Sequence, residues 1–365
     1  MRRKAFISLA ALLALLAGSA CTRQDSLPTG EVKLTFSVGK PETRAITPGV
    51  TGPEDGGKII IKEDTTPDLY IFIADNSASR SIVARYPSAS SACTINDTHT
   101  EATVTISGMT AGEYTVYAIA NTNGGVWGAP ANKAAWDAIS TATALEALTL
   151  NHAVDYDEDG VNDPRPLVID RMPLSASGPL TVQSTGNGEV SLELLRCVAG
   201  VKVQFENATS GKLDLTSVSL SIGNINPTQG KLIPPASGDD VSGEKQALSM
   251  SAASLEIPKG ETALLSASTY FVFPSVAPEG TYYCHPVTFS WTQTTPSLGD
   301  PIITSGSYTS LAPGLRIHDK KSVDIPALLR NQLITIQIRI ANNSDVSFNF
   351  IVADWTTKQE NVWFD

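Results

Sequence analysis

The sequence predicts a mainly β protein built from two β-sandwich domains. Its 365 residues are long for one domain and suit two. Short segments of alternating apolar and polar residues recur along the chain, and turn-forming Gly, Pro, Asn and Asp residues separate them. The composition, rich in Thr, Ser, Gly and Val, is typical of antiparallel β-structure. A polar stretch at 184–189 divides two such series of strands, so we expect an N-terminal domain at 45–188 and a C-terminal domain at 189–365.

Residues 1–21 have the pattern of an export signal. A basic start precedes an apolar run at 5–17 that is too short for an ordinary transmembrane helix. Small residues followed by Cys21 end the segment, as in bacterial lipoprotein signals, so we expect the Cys21 thiol to carry lipid such as palmitate. Ordinary signal-peptidase cleavage after Ala20 is the alternative, because Gly18 stands where lipoprotein signals usually have Leu.

The first strand after this leader is predicted at residues 32–38. Its apolar side chains recur at two-residue steps and therefore project from one face of the strand. These side chains are Val32, Leu34, Phe36 and Val38. A linker dense in Gly and Pro follows, with Arg44 in its middle, and such a linker leaves the backbone open to proteases. The pattern predicts a cleavage-prone segment directly after the strand.

A strand with the same pattern is predicted near the C-terminus, at 346–352. Its apolar side chains are Val346, Phe348, Phe350 and Val352. Because the two strands are nearly interchangeable, one could replace the other in a second molecule, which is how a polymerising pilin works. The alternative is that both are core strands of a single molecule.

One helical segment is predicted at 133–148. Its apolar residues recur at three-residue steps and form one stripe against a sheet. They are Trp136, Ile139, Ala142, Leu145 and Leu148. The stripe is interpreted as core rather than as a ligand site.

Charge and motif content exclude several classes of function. The formal net charge of −11 leaves no basic stripe that could neutralise phosphates, so no nucleic-acid partner is expected. The cysteines after Cys21, at 93, 197 and 284, have the spacing of neither a disulfide framework nor a zinc site. The sequence has no nucleophile elbow, phosphate loop or dinucleotide fingerprint. Two distant carboxylates could still meet as glycosidases require, but the expectation is that the protein is not an enzyme.

The acidic loop at 155–163 has the spacing of a calcium-binding loop. Carboxylates occupy alternate positions, a glycine permits a sharp turn, and another carboxylate follows at the ninth place. The candidate ligands are Asp155, Asp157, Asp159, the Val161 carbonyl and Asp163. Pro166 replaces the bidentate Glu of an EF-hand, so any binding should be weak. A solvated acidic loop is the alternative.

Several segments occur together here in the order found in one family of pilins. They are the lipoprotein-like leader, Thr43-Arg44-Ala45 after the first strand, VYAIANTNGG at 116–125, RCVAGVKVQ at 196–204 and the ending FIVADWTTKQENVWFD. By these segments the chain resembles the fimbrillins of Bacteroidetes, the two-domain pilins of type V fimbriae. The resemblance spans most of the mature chain and implies transthyretin-like sandwich domains.

The resemblance also implies a route of assembly. The precursor would reach the outer membrane as a lipoprotein, and an Arg-directed protease would cut between Arg44 and Ala45. Loss of the propeptide strand within 22–44 would open a groove for the C-terminal segment of another subunit, here within 333–365 and including Trp355. Other copies or paralogous subunits would be the partners, in an adhesive fimbrium on the cell surface. Anchor subunits lack the cut, so Arg44 favours a stalk, tip or accessory role.

A second class of function stays open at this point. A surface-tethered lipoprotein could bind glycans without polymerising, and the leader and the sandwich pattern fit that interpretation as well. Its sugar-stacking candidates are the five tryptophans Trp127, Trp136, Trp291, Trp355 and Trp363. Core packing is the alternative for most of them.

Overall fold

The computed structural model is dominated by β-strands, which confirms the prediction of a mainly β protein. Helix is confined, in the described part of the chain, to three short pieces between residues 126 and 146. The described residues are 30–38, 67–151, 172–234, 241–265, 270–276, 284–285, 287–295, 302–309, 315–316, 327–341, 346–354 and 359–362.

Eight of the first nine strands form one sheet. The bounds are β1 Gly30–Val38, β2 Leu69–Asp75, β3 Ile82–Tyr86, β4 Ser91–Ile95, β5 Glu101–Met109, β6 Gly112–Ala120, β7 Thr149–Asn151, β8 Leu174–Val182 and β9 Gly188–Arg196. The strand order is β3-β2-β6-β8-β9-β1-β5-β4. The pairs between β8 and β9 are Leu174–Arg196 and Ser175–Leu195. Because the two strands pair only at this corner, the sheet divides into the halves β3-β2-β6-β8 and β9-β1-β5-β4.

The two halves share one hydrophobic core. Alternate side chains of β1, β2, β5 and β6 lie in it, as the two-residue period of a strand requires. Leu34 and Phe36 come from one half, and Ile71, Ile73 and Val116 come from the other. All five are fully buried. The alternation seen in the sequence is therefore the signature of this core.

The predicted single helix at 133–148 is wrong, because the chain forms two short helices there. These are α1, Lys133–Asp137, and α2, Ala142–Glu146. The Thr141 hydroxyl accepts a hydrogen bond from the Ala144 N–H at 3.2 Å and so caps α2. Thr favours such a cap over a helix interior, which explains the break. No helix in the described ranges is long and apolar enough to cross a membrane.

The predicted apolar stripe nevertheless packs as expected. Trp136, Ala142 and Leu145 are buried against β2 and β6, and Ile139 and Leu148 are partly buried beside them. The Trp136 ring stacks on Tyr70 of β2, with 5.0 Å between ring centroids. The two helices thus cover the face of β2 and β6 that points away from the first core.

The second half of the chain forms two further large sheets and two short two-stranded ones. The bounds are β10 Ala199–Ala208, β11 Leu213–Lys231, β12 Val241–Ile257, β13 Thr262–Leu264, β14 Tyr270–Val272, β15 Ser275–Val276, β16 Cys284–His285, β17 Val287–Thr295, β18 Ile302–Thr309, β19 Leu315–Arg316, β20 Ala327–Leu328, β21 Gln332–Ala341, β22 Val346–Asp354 and β23 Gln359–Val362. One sheet has the order β13-β10-β21-β22-β23, and the other has the order β12-β11-β17-β18. A second core, from β10, β11, β12 and β21, lies between them.

The polar stretch at 184–189 is a turn inside the first sheet. The Gly186 N–H donates to the Gln183 carbonyl at 2.8 Å, and the Gln183 N–H donates to the Asn187 carbonyl at 2.9 Å. These bonds connect β8 to β9, and β9 lies between β8 and β1. β9 therefore belongs to the first sheet, and the strands of the second group begin with β10.

The two groups of strands are joined by a third buried cluster. Trp127 from the first group packs edge-on against Phe273 from the second, with 5.3 Å between ring centroids. Polar contacts follow the same junction, since Arg330 Nη1 donates to the Ser175 Oγ at 3.0 Å. Arg196 likewise donates to the Asn331 Oδ1 at 2.8 Å. β7 also crosses over, because it pairs with β11 of the second group.

Candidate functional site

β1 is an interior strand of the first sheet. It pairs antiparallel with β5, where Val32 lies opposite Ile106. It pairs parallel with β9, where Val38 lies opposite Leu194. Both of its backbone edges are therefore bonded, although the chain reaches β2 only after a further long segment. Among the first nine strands, β1 fills a gap between strands that are contributed much later in the sequence.

The predicted apolar face of β1 is buried. Val32, Leu34 and Phe36 have no exposed surface, and Val38 retains 3%. The opposite face carries exposed Lys33 and Ser37. This strand thus supplies four core side chains while its other face stays in contact with solvent.

Removing β1 would leave a groove with defined walls. The strands β5 and β9 would lose their shared partner and expose two unpaired backbone edges. Val104 and Leu194 line the apolar floor between them. At the far end, the Val38 N–H donates to the Thr100 carbonyl at 2.8 Å. The Thr100 carbonyl would therefore also need a new donor once β1 is removed. Such a groove fits an extended strand.

The groove narrows at the start of β1. A Cβ atom on Gly30 would lie 2.7 Å from the Gly186 Cα, and nearer still to the Gly186 carbonyl group. Gly188, which pairs with Val32, is also confined, because a Cβ there would lie 2.9 Å from the Thr181 carbonyl oxygen. Only glycine permits so close a backbone approach.

The four apolar residues of the candidate donor strand lie on β22, and β22 is paired within its own subunit. Val346 lies opposite Ile340 of β21, and Val352 lies opposite Ile334. On the other edge, β22 pairs with β23, where Phe350 lies opposite Val362. Phe348 occupies the same strand. A donated β22 must therefore first leave β21.

Some predicted site residues lie outside the described residues. They are Cys21, Arg44, Ala45, Trp355 and the calcium candidates Asp155, Asp157, Asp159, Val161 and Asp163. Within the described ranges, His, Cys, Asp and Glu side chains form no group of three or more that could hold a metal ion.

Two of the five tryptophans proposed for sugar stacking are core residues. Trp127 is fully buried, and Trp136 is 1% exposed. Neither indole face can therefore meet a sugar, and core packing is confirmed for this pair. Trp291 lies on β17, whereas Trp363 falls outside the described residues.

Sequence reasoning missed a polar cluster that fastens α2 to the sheet. The Arg80 guanidinium contacts the Glu146 carboxylate through two hydrogen bonds of 2.7 and 2.8 Å. The Tyr117 hydroxyl of β6 donates to the same carboxylate at 2.6 Å. Because the three residues are distant in sequence, no local spacing signals their contact. Arg80 also has a positive φ of 48°.

Electrostatics in this cluster favour the ion pair. The hydrogen bonds from Arg80 lower the pKa of Glu146, although partial burial acts in the opposite direction. Burial, with the hydrogen bond to Glu146, raises the pKa of Tyr117 well above its usual value. The carboxylate is thus ionised and the phenol is neutral at physiological pH. The cluster has the chemistry of a structural clamp.

Cys93 and Cys197 lie beside or within the hydrophobic cores. Cys197 is fully buried among apolar side chains, where a thiol packs as a small hydrophobe. Cys93 lies on β4, where burial raises the pKa of its thiol to about 11. Neither forms a disulfide.

Comparison with known proteins identifies the family. Residues 63–361 match the family model described as fimbrillin-A associated anchor proteins Mfa1 and Mfa2. A candidate cell adhesion protein from Parabacteroides distasonis is 10% identical with a TM-score of 0.57, over 90% of this chain and 98% of that chain. A fimbrilin from Porphyromonas gingivalis is 10% identical with a TM-score of 0.51, at the same coverages. Among curated proteins, none matches the sequence.

The family match covers most of the chain, and the two solved structures share its fold. The predicted resemblance to fimbrillins is therefore confirmed. The prediction that the protein is not an enzyme is confirmed as well, because the family consists of fimbrial structural proteins. Such proteins belong to fimbriae at the cell surface. The chain belongs to the family of fimbrillin-A associated anchor proteins Mfa1 and Mfa2.

Proposed function

We propose that this protein is a fimbrial subunit that polymerises by donor-strand exchange once β1 has been removed. The observation that carries the proposal is the position of β1, which is interior to the sheet, fully buried on one face and bonded along both edges. Cleavage between Arg44 and Ala45 would separate this strand covalently from the rest of the chain. The partner is another copy or a paralogous subunit.

Refilling the groove with a new strand has large favourable and unfavourable contributions to its free energy. Four buried Val, Leu and Phe side chains contribute about 1.5–3 kcal/mol each. Each new ladder hydrogen bond adds about 0.5–1.5 kcal/mol net. Ordering a free strand costs roughly 1–2 kcal/mol per residue, so much of this gain is offset. Persistence of the polymer then depends on slow release as well as on affinity.

β22 is the proposed donor. Its sequence repeats the apolar period of β1, with Val346, Phe348, Phe350 and Val352 at two-residue steps. Since β22 is paired with β21 and β23 in the free subunit, donation exchanges one set of ladder hydrogen bonds for another. The proposed donor segment, within 333–365, includes Trp355, which would hold the end of the donated strand in place.

The proposal includes the route to the cell surface. The precursor is exported by its leader, lipidated at Cys21 and held at the outer membrane. An Arg-directed protease then removes residues 22–44 with β1, leaving two transthyretin-like domains near 45–188 and 189–365. The two cores of the described chain support this division, with the exception of β9, which stays with the first sheet.

Limited proteolysis of the purified precursor tests the proposal. Trypsin should cut at Arg44, and the product should form a ladder on non-boiled gels. Phe348→Asp and Phe350→Asp should abolish the ladder, because a charge cannot enter the apolar groove. Urea unfolding of each variant monomer separates this effect from a loss of folding, since both residues lie opposite buried residues of β21. Asn349→Asp is the matched control on the alternate face of the strand and should polymerise. A normal ladder from either Phe variant would refute the proposed donor.

The N-terminus of the protein found in fimbriae distinguishes the roles that the subunit could have. Protein recovered from fimbriae should begin at Ala45 if it is a stalk, tip or accessory subunit. Protein that retains lipidated Cys21 and β1 would be an anchor. Binding to a polysaccharide array without any ladder would instead favour a tethered glycan receptor.

A further inference from the structure

We propose that the Gly186 backbone, which lies against Gly30 in the precursor, forms a filter in the exchange groove that selects the partner strand. In the register of β1, the groove accepts a strand with glycine two residues before the first of its four apolar side chains. A strand that carries this glycine enters without displacing the turn, whereas the tail of a second copy of this chain lacks it and should bind more weakly. The inference rests on the proposed exchange of strands and specifies which partner it favours.

The filter consists of backbone atoms. A Cβ at position 30 would meet the Cα and the carbonyl group of Gly186, and no side chain is available there to rotate away. The wall itself is fixed, because Gly186 lies in the β8–β9 turn, which is closed by two hydrogen bonds between Gln183 and its neighbours. Gly186 has a φ of 85°, so the turn depends on glycine at this position too.

A second confined position lies beside the filter. Gly188 pairs with Val32, the first apolar residue of β1, and a Cβ there would lie 2.9 Å from a carbonyl oxygen of β8. The groove is therefore narrow over the residues that receive the start of the incoming strand. Backbone contacts of the β8–β9 side limit its width on one side, and the hydrogen-bond ladder with β5 limits its width on the other.

The tail of this chain lacks the required residue. If Val346 takes the place of Val32 in the same direction, Ser344 reaches the filter. If the strand enters in the reverse direction, with Val352 in the place of Val32, Asp354 reaches it. Residues 332–365 contain no glycine, so no register or direction of the tail satisfies the filter. The tail of a second copy must displace the turn, whereas a partner strand with the glycine need not.

Peptide uptake by the cleaved precursor measures the filter. The probes are the parental peptide of residues 26–40, its Gly30→Ala variant and its Ser37→Ala variant. Ser37 is exposed and serves as the matched control. A clash with backbone should weaken uptake of Gly30→Ala by about tenfold or more, although Ala by itself would favour an ordered strand. Ser37→Ala should equal the parent.

The tail peptide of residues 342–356 gives the converse test. Ser344→Gly should increase its uptake if the strand enters in the direction of β1, and Asp354→Gly should do so if it enters in reverse. No gain from either change would overturn the filter. Equal uptake of the parental and Gly30→Ala peptides would also overturn it and leave strand exchange intact. If the parental peptide itself never enters, strand exchange has failed instead.

Thermal unfolding of the intact precursor decides the filter without any exchange. Gly30→Ala should lower the unfolding midpoint by several degrees, since the Cβ meets the Gly186 backbone, and Ser37→Ala should not. An unchanged midpoint in Gly30→Ala would overturn the filter.

Discussion

Replacing Phe36 with alanine tests whether β1 stabilises the precursor and is absent from the fibre. Phe36 is fully buried between β5 and β9, opposite Ala102 and Leu192. Replacing a buried Phe with Ala costs about 3–5 kcal/mol, from lost transfer free energy and the cavity that remains. Because domains typically unfold with only about 5–15 kcal/mol, the precursor should lose a large part of its stability.

The assay is urea unfolding followed by tryptophan fluorescence, which the buried Trp127 and Trp136 make sensitive to the loss of packing. Ser37→Ala, on the exposed face of the same strand, should stay within about 0.5 kcal/mol of wild type. After cleavage, fibres grown from Phe36→Ala and from wild type should dissociate at the same rate, because β1 is no longer present. Equal unfolding of the two variants, or fibres that differ, would refute the reasoning.

Three further predictions concern other features. Arg80 lowers the pKa of Glu146 below its ordinary 4.5, so the ion pair stabilises the fold above that pH and this stabilisation is lost as the pH falls through the lowered pKa. Between about pH 7 and about pH 3, the urea midpoint of Glu146→Gln should therefore fall slightly less than that of the wild type. Equal falls in the two proteins would contradict this role of the ion pair. In native protein at about pH 8, alkylation should be slow at Cys93, whose thiol pKa is raised, and slower still at the fully buried Cys197, as measured by peptide mapping. Both cysteines should react rapidly in urea. Rapid labelling of either cysteine in the native protein would contradict the burial described. Calorimetric titration should show calcium binding to the wild type and none to Asp157→Ala, and the loop has no calcium site if the wild type gives no heat.

Sequence patterns correctly predicted the burial of side chains where it depends on the local geometry of a strand or a helix. The burial of Phe36 and Leu34 follows from the two-residue period of a strand, and the burial of Trp136 and Leu145 follows from the helical stripe. The break between α1 and α2 was missed because the apolar period continues through Thr141, and only its capping hydrogen bond reveals the interruption.

Features that depend on contacts between distant residues escaped prediction. The polar stretch at 184–189 has the composition of a linker and of a turn alike, so only the pairing of β9 with β1 shows that it lies within a sheet. The clamp of Arg80 with Glu146 joins residues 66 positions apart. The approach of Gly30 to Gly186 likewise depends on the sheet order. The sequence gives no sign of it, because glycines are common in a chain with many turns.

The aromatic cluster that joins the two groups of strands has a mechanical consequence. Trp127 and Phe273 interlock across the junction, and Arg330 and Arg196 bridge it with buried hydrogen bonds. Bending the subunit at this point would expose apolar rings and break those bonds together, so the subunit resists shear as one stiff segment. In a filament pulled by flowing liquid, compliance would then reside at the connections from one subunit to the next.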